Sequence, residues 1–204
     1  MTLVFGRHRD RAAFTRNELL VVLGTVILLA AVALACIQYA KRKHIETICA
    51  HNLAGLAQAF QNFTKQDDRY PAAARLDLRR NDDWIYWQTQ TRIFSNSAIA
   101  PYLPGFSPKI LRCPTDKKCR LRPYQFSYSM NIHFDRLVST RVQAPAKTLM
   151  LFEEVSPNDG CCAVGSLADT LTTRHRGKGH VAFADGHVQL ATQAFAGDPL
   201  NVSP

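Results

Sequence analysis

The chain has 204 residues, 47% of them hydrophobic, and 25 Lys and Arg against 16 Asp and Glu give a formal net charge of +9. That length supports one modest domain plus an anchor and excludes two sizeable cores. There is no internal repeat and no long low-complexity stretch. The basic residues are scattered and form no stripe, so the charge reads as a basic, soluble surface, and no specific nucleic-acid partner is predicted.

The first strong signal lies near the N-terminus. Residues 19–35 carry no charge, and only Gln38 and Tyr39 temper the run as far as Ala40. Roughly 20 residues make about 30 Å of helix, the thickness of a hydrocarbon core. A buried core helix would keep a polar face, and this run has almost none. Arg7, Arg9, Arg11 and Arg16 precede it, and Lys41, Arg42 and Lys43 follow it. Basic residues at both ends give no clear vote on orientation. A cleaved signal peptide is the rival reading, with Ala33-Leu34-Ala35 before Cys36 as the cleavage segment and Cys36 as a lipid anchor. Glu18 at the mouth of the run, the length of the run and the continuing helical pattern argue against it.

Beyond the anchor the pattern becomes amphipathic. Ile45, Ile48, Cys49, Leu53, Leu56, Phe60 and Phe63 recur at three- and four-residue steps, up to a stop before Pro71. One helix of about 50 residues, on the order of 75 Å, is predicted over residues 14–66, membrane-spanning to about residue 40. Its second half offers one apolar stripe to a head formed by residues 67–204.

In the head, Trp84-Ile85-Tyr86-Trp87 is a short aromatic segment, either a strand or a loop lining. Residues 100–105 read as a break. Residues 124–130 alternate at period two, residues 148–152 form a continuous apolar run, and residues 180–184 and 187–190 flank Asp185-Gly186, a two-residue hairpin signal of type I′. Val181 and Phe183 on one arm, and Val188 and Leu190 on the other, are expected to close the sheet over the helix. His175 follows a flexible approach, residues 174–179, and is expected to bond a backbone carbonyl or Asp185. His180 and His187, which flank the hairpin, are expected to face water. The fold class is α+β: a long N-terminal helix packed against a small antiparallel sheet.

The six cysteines divide into two groups. Cys36 in the anchor and Cys49 on the apolar stripe read as ordinary buried residues. Cys113 and Cys119 lie close in loop-like sequence, and Cys161 and Cys162 are adjacent. In an exported head these four can form disulfides, of which Cys113–Cys119 is the simplest, though sequence leaves the connectivity open. Zinc held by these thiols with His175, His180 and His187 is the rival. The spacings match no common zinc motif, so no metal is expected. His175, His180, Asp185 and His187 could also form a catalytic cluster. No activated nucleophile, Gly-rich phosphate loop or paired acids accompany them, so neither an enzyme nor a cofactor is predicted.

The segment Ala13-Phe14-Thr15-Arg16-Asn17-Glu18-Leu19-Leu20-Val21-Val22, set before an apolar helix, resembles the N-terminus of type IV pilins and type II secretion pseudopilins. Ala13 stands where that family usually has Gly, and Arg16 and Asn17 where it usually has Leu and Ile. The second half of the chain adds Arg112-Cys113-Pro114-Thr115-Asp116, Ser127-Tyr128-Ser129-Met130-Asn131, and His175 followed by nine residues and Asp185-Gly186. This pattern resembles the bacterial prepilin-type group named for that His-to-Asp-Gly spacing. The resemblance implies cutting between Ala13 and Phe14 by a prepilin peptidase that also methylates the new N-terminus, with residues 1–13 as the leader. It implies a single-pass protein of the bacterial inner membrane with a periplasmic or extracellular head, and partners that are other pilin-like subunits in a pilus or pseudopilus. It implies structural roles for Cys113, Asn131, His175, Asp185 and Gly186. Glu18, a carboxylate at the edge of an apolar helix, is costly unless paired. The free amine of Phe14 on a neighbouring subunit is then its natural partner and sets the stagger of packed helices.

Overall fold

The structure is a computed structural model that describes residues 15–204, except residues 86, 89, 90, 104, 106, 120–124 and 164–168. Ala13, Phe14 and the first residue of the strand expected at 124–130 lie outside the described residues. The chain divides into two units, residues 1–43 and residues 44–204.

Helix α1 runs over Arg16–Asp67, 52 residues without interruption, close to the span read from the sequence. In the first unit every described residue is exposed, including Leu19, Leu23, Ile27, Leu29 and Leu34. This part is long and apolar enough to cross a membrane. In the second unit the same helix buries Cys49, Leu53, Leu56, Ala57, Ala59, Phe60 and Phe63. Their three- and four-residue steps put them on one face. Asp68, at φ 55°, ends the helix by leaving the right-handed region.

Two short strands, β1 (Trp87–Gln88) and β2 (Thr91–Arg92), form an antiparallel pair. Just before them Trp84 and Ile85 are fully buried. The Trp84 indole packs on Phe60 with ring centroids 5.5 Å apart and donates its N–H to the Gly160 carbonyl at 2.7 Å. An aromatic body against the helix and a satisfied polar tip explain why this segment is core and not a loop lining.

The main sheet has β3 (Tyr128–Asn131), β4 (Leu149–Glu153), β5 (Cys161–Cys162), β6 (Gly179–Phe183) and β7 (Val188–Ala191), in the order β5-β3-β4-β6-β7. β3–β4, β4–β6 and β6–β7 are antiparallel, but β5 pairs parallel with β3. The sheet is therefore mixed, where a purely antiparallel one was expected. A two-residue edge strand leaves too short a pattern for its direction to be read from sequence.

Both faces of the central strands are covered, so β3 is buried throughout and does not alternate as expected. One face meets the helix: Tyr128, Met130, Met150, Leu151 and Ala182 share a core with Leu53, Leu56 and Phe60. The other carries a second core of Leu149, Phe152, Val181, Phe183, Ala191, Ala196 and Val202. It is closed by two short helices, α2 (Gln193–Ala196) and α3 (Pro199–Val202). Val181 and Phe183 thus face the C-terminal cap. The small side chains Ala182 and Ala184, not these larger ones, turn to the core built on the helix. Asn131 ties the cap down: its buried amide donates to the Leu149 carbonyl at 2.7 Å and the Val202 carbonyl at 2.8 Å.

Candidate functional site

Two places in the chain have the ingredients of function. The first is the mouth of the apolar helix. Thr15 and Glu18 form a reciprocal capping box: the Thr15 N–H and hydroxyl donate to Glu18 Oε2 at 2.8 and 2.9 Å, and the Glu18 N–H donates to Thr15 Oγ1 at 3.3 Å. Within one chain the carboxylate is thus already placed at the positive end of the helix dipole. Behind it the exposed apolar surface is continuous through Ile37.

The second place is a buried polar cluster in the head. Its hub is Glu153, the last residue of β4, fully buried at the end of a strand of apolar residues. Glu153 Oε2 lies 2.9 Å from His175 Nε2 and 3.3 Å from His180 Nδ1, and accepts the His180 N–H at 3.2 Å. Oε1 accepts from Arg174 Nη1 at 3.1 Å. Arg174 also reaches Asp116 at 3.3 Å and donates to the Glu154 and Val155 carbonyls. The neighbouring Glu154 accepts the Ser129 hydroxyl at 2.5 Å. Cys113 Sγ lies 3.5 Å from His175 Nε2 and 2.8 Å from Thr115 Oγ1.

Burial disfavours the Glu153 carboxylate, but hydrogen bonds from His175 and His180 outweigh it and hold the carboxyl well below its usual range. Burial likewise opposes charge on His175, yet its contacts with Cys113 and Glu153 push it up to about 9. The Cys113 thiol is raised by its contact with Cys49 and by burial. Burial raises the thiols of Cys161 and Cys162. These are not the depressed values of reactive cysteines.

The local fold explains the convergence. Residues 174–179, expected as a flexible approach, form a hairpin: His175 and Lys178 exchange both backbone hydrogen bonds, and Arg176 and Gly177 take φ of 56° and 81°. That is the type I′ geometry expected instead at Asp185-Gly186. The hairpin brings His175 and His180 to 4.4 Å between ring centroids, both on Glu153. His180 is therefore buried, not facing water. At the other end of β6, Gly186 takes φ 92° and donates its N–H to the Phe183 carbonyl, while the Phe183 N–H bonds the His187 carbonyl. The loop is thus three residues, 184–186, with glycine in the left-handed position of a bulge. Asp185 is absent from the positive-φ residues; its carboxylate bonds His187, at 2.6 Å from Nδ1 and 3.1 Å from the backbone N–H.

The nine-residue spacing between His175 and Asp185 is therefore one tight turn plus one strand. The two residues mark opposite ends of β6 and do not meet, and the expected His175–Asp185 contact is replaced by His175–Glu153. No disulfide joins the six cysteines in this structure. Cys113 lies beside Cys49, which came from the helix stripe, while Cys161 and Cys162 lie on the β5 edge. Glu153 and Cys49 are the participants missed by sequence reasoning. The available signal was a pair of carboxylates, Glu153-Glu154, directly after an apolar run, which must find partners if the strand is central.

Comparison with protein-family models, with curated proteins and with solved structures returned no match.

Proposed function

We propose that this chain is a pilin-like subunit, inserted by its N-terminal helix, cut between Ala13 and Phe14 by a prepilin peptidase, and packed through that helix with other pilin-like subunits into a pilus or pseudopilus. One observation carries the reading: α1 continues unbroken from a fully exposed apolar half, headed by Glu18, into a half that forms the core of the head. Such a helix can be held in lipid before assembly and against copies of itself afterwards, because apolar surface is satisfied by either. The head then faces the periplasm or the exterior of a bacterial cell. The same continuity disfavours a cleaved or lipid-anchored form starting at Cys36, since residue 36 lies in mid-helix.

Glu18 supplies the test. In the monomer it caps its own helix; in an assembly its carboxylate would meet the free amine of Phe14 on a neighbour. Glu18→Gln retains the capping geometry, because Gln serves at that position of a capping box, but removes the charge. Both Glu18→Gln and Glu18→Ala should insert normally and carry a folded head, yet be depleted from sedimentable or sheared filament fractions. If Glu18→Gln assembles like the wild type while Glu18→Ala does not, the residue is only a cap. If both assemble normally, the pairing role is wrong.

A further inference from the structure

The assembly reading uses the exposed helix and leaves the buried cluster of the head without a task. Two thiols, one imidazole and one carboxylate converge there. Cys49, Cys113, Glu153 and His175 each present one ligand atom, and these atoms all lie within 4.8 Å of one another. All four residues are at most 5% exposed. They come from four separate parts of the fold: α1, the loop that follows residues 108–111, the end of β4, and the turn that precedes β6.

We propose that these four side chains are a structural binding site for a borderline-soft divalent cation of the zinc class. A tetrahedral zinc ion, with bonds of about 2.3 Å to sulfur and about 2.0–2.2 Å to nitrogen or oxygen, holds its ligand atoms roughly 3.3–3.8 Å apart. Cys113 Sγ and His175 Nε2 already stand 3.5 Å apart. His175 Nε2 and Glu153 Oε2, at 2.9 Å, need to part by only a few tenths of an ångström. Thiolates select such a cation over magnesium or calcium, which prefer oxygen.

The surroundings suit a metal as well. A ligating carboxylate needs outer partners to aim it. Glu153 has them in the His180 backbone N–H, the His180 imidazole at 3.3 Å and the Arg174 guanidinium. The charge also suits a cation: Arg174 is shared between Glu153 and Asp116, and two thiolates balance the two charges of the ion. Binding would release the two thiol protons to solvent, together with the proton of His175 where it is charged. Four protein ligands with almost no solvent access leave no open position, so the site is a staple and not a catalyst. It joins helix, loop, sheet and turn at one point, as a disulfide does in other exported domains.

The test uses the full-length, untagged chain in detergent, purified under reducing conditions and titrated with Co²⁺ and Zn²⁺. The wild type should retain about one equivalent of Zn²⁺ against a weak chelator, and Co²⁺ should give the visible bands of a tetrahedral site with a thiolate charge-transfer band. Cys113→Ser and Cys49→Ala should lose both, while His187→Ala keeps them. His180→Ala should weaken binding roughly 10–100-fold, because it removes the imidazole that bonds Glu153, while the backbone N–H and all four ligands remain. Zn²⁺ should raise the Tm of the wild type and leave that of Cys49→Ala unchanged. A folded wild type that binds neither metal, or a folded Cys113→Ser that binds as well as wild type, would overturn the site. So would a Cys49–Cys113 disulfide in protein taken from its own envelope. Because the wild-type spectrum is itself diagnostic, variants that fail to fold leave the proposal testable. None of these readouts depends on filament assembly.

Discussion

Single residues carry more of this fold than their size suggests. Gly186 holds φ at 92°, and a Cβ there would sit 2.8 Å from the Gln61 amide nitrogen. Gln61 in turn donates to the Ala184 carbonyl at 3.2 Å, so the β6–β7 loop is docked on the helix through one amide. Gly186→Val should lower the stability of the head by about 1–3 kcal/mol through backbone strain, with a further cost from displacing Gln61. Denaturant unfolding of Gly186→Val, alone and combined with Gln61→Ala, separates the two: the clash vanishes in the double variant and the strain remains. Asn131 is a comparable point. Asn131→Ala would leave the buried Leu149 and Val202 carbonyls without their donor, a loss of about 1–3 kcal/mol. It should also raise hydrogen exchange in α2 and α3 before the sheet is affected. Full protection of those helices in the variant would show that the cap does not depend on Asn131.

At the scale of elements, β4 and the turn before β6 depend on one another through Glu153. Removing one partner from a buried charged cluster costs about 3–5 kcal/mol, because the remaining charge is stranded. Glu153→Gln should therefore destabilise the head more than any exposed substitution, and His175→Ala should act in the same direction. An intact melting temperature in His175→Ala would remove the structural account of that residue.

The cluster also sets a pH profile for the metal-free head, measured in chelator. The groups facing one another are Glu153 on β4, Arg174, His175 and His180 around the turn, Asp116 and Cys113 on the preceding loop, and Cys49 on α1. Glu153 is depressed in the folded state, so its contribution is present above its ordinary value of 4.5 and is lost as the pH falls below it. His175 is raised from 6.5 to about 9, so its contribution is complete below 6.5 and is lost as the pH rises through about 9. Unfolding free energy should thus be highest between about pH 5 and 6.5 and decline toward pH 9, and His175→Ala should flatten the alkaline limb. A wild-type profile flat from pH 6 to pH 9 would contradict the pairing.

Which elements were legible in the sequence follows from how local their cause is. The helix is periodic over many turns, and β4 is an unbroken apolar run, so both stand out. The β6–β7 hairpin is legible because glycine marks its turn. Its type was misread because Asp185-Gly186 and Arg176-Gly177 are both glycine turns, and only pairing geometry tells the two-residue loop from the three-residue one. The parallel β5 edge, the C-terminal cap and the Glu153 hub depend on contacts between distant segments. Nothing within a short window of sequence encodes them.

On the scale of the whole molecule, the chain combines an apolar helix exposed along its first half with a head whose core is built on the second half. The first unit has no core of its own among the described residues, and its surface is stable only against lipid or other helices. The proposed assembly gives that surface both environments in turn. It requires removal of the basic leader, since Arg7, Arg9 and Arg11 would otherwise be drawn into the packed helices and no free amine would face Glu18. The mature N-terminus is therefore the most direct measurement. Intact-mass and N-terminal analysis of the protein from a cell with a prepilin peptidase should give a chain that starts at a methylated Phe14, and deletion of the peptidase should restore the start at Met1. A chain that starts at Met1 in the presence of the peptidase, or at a lipidated Cys36, would contradict the account.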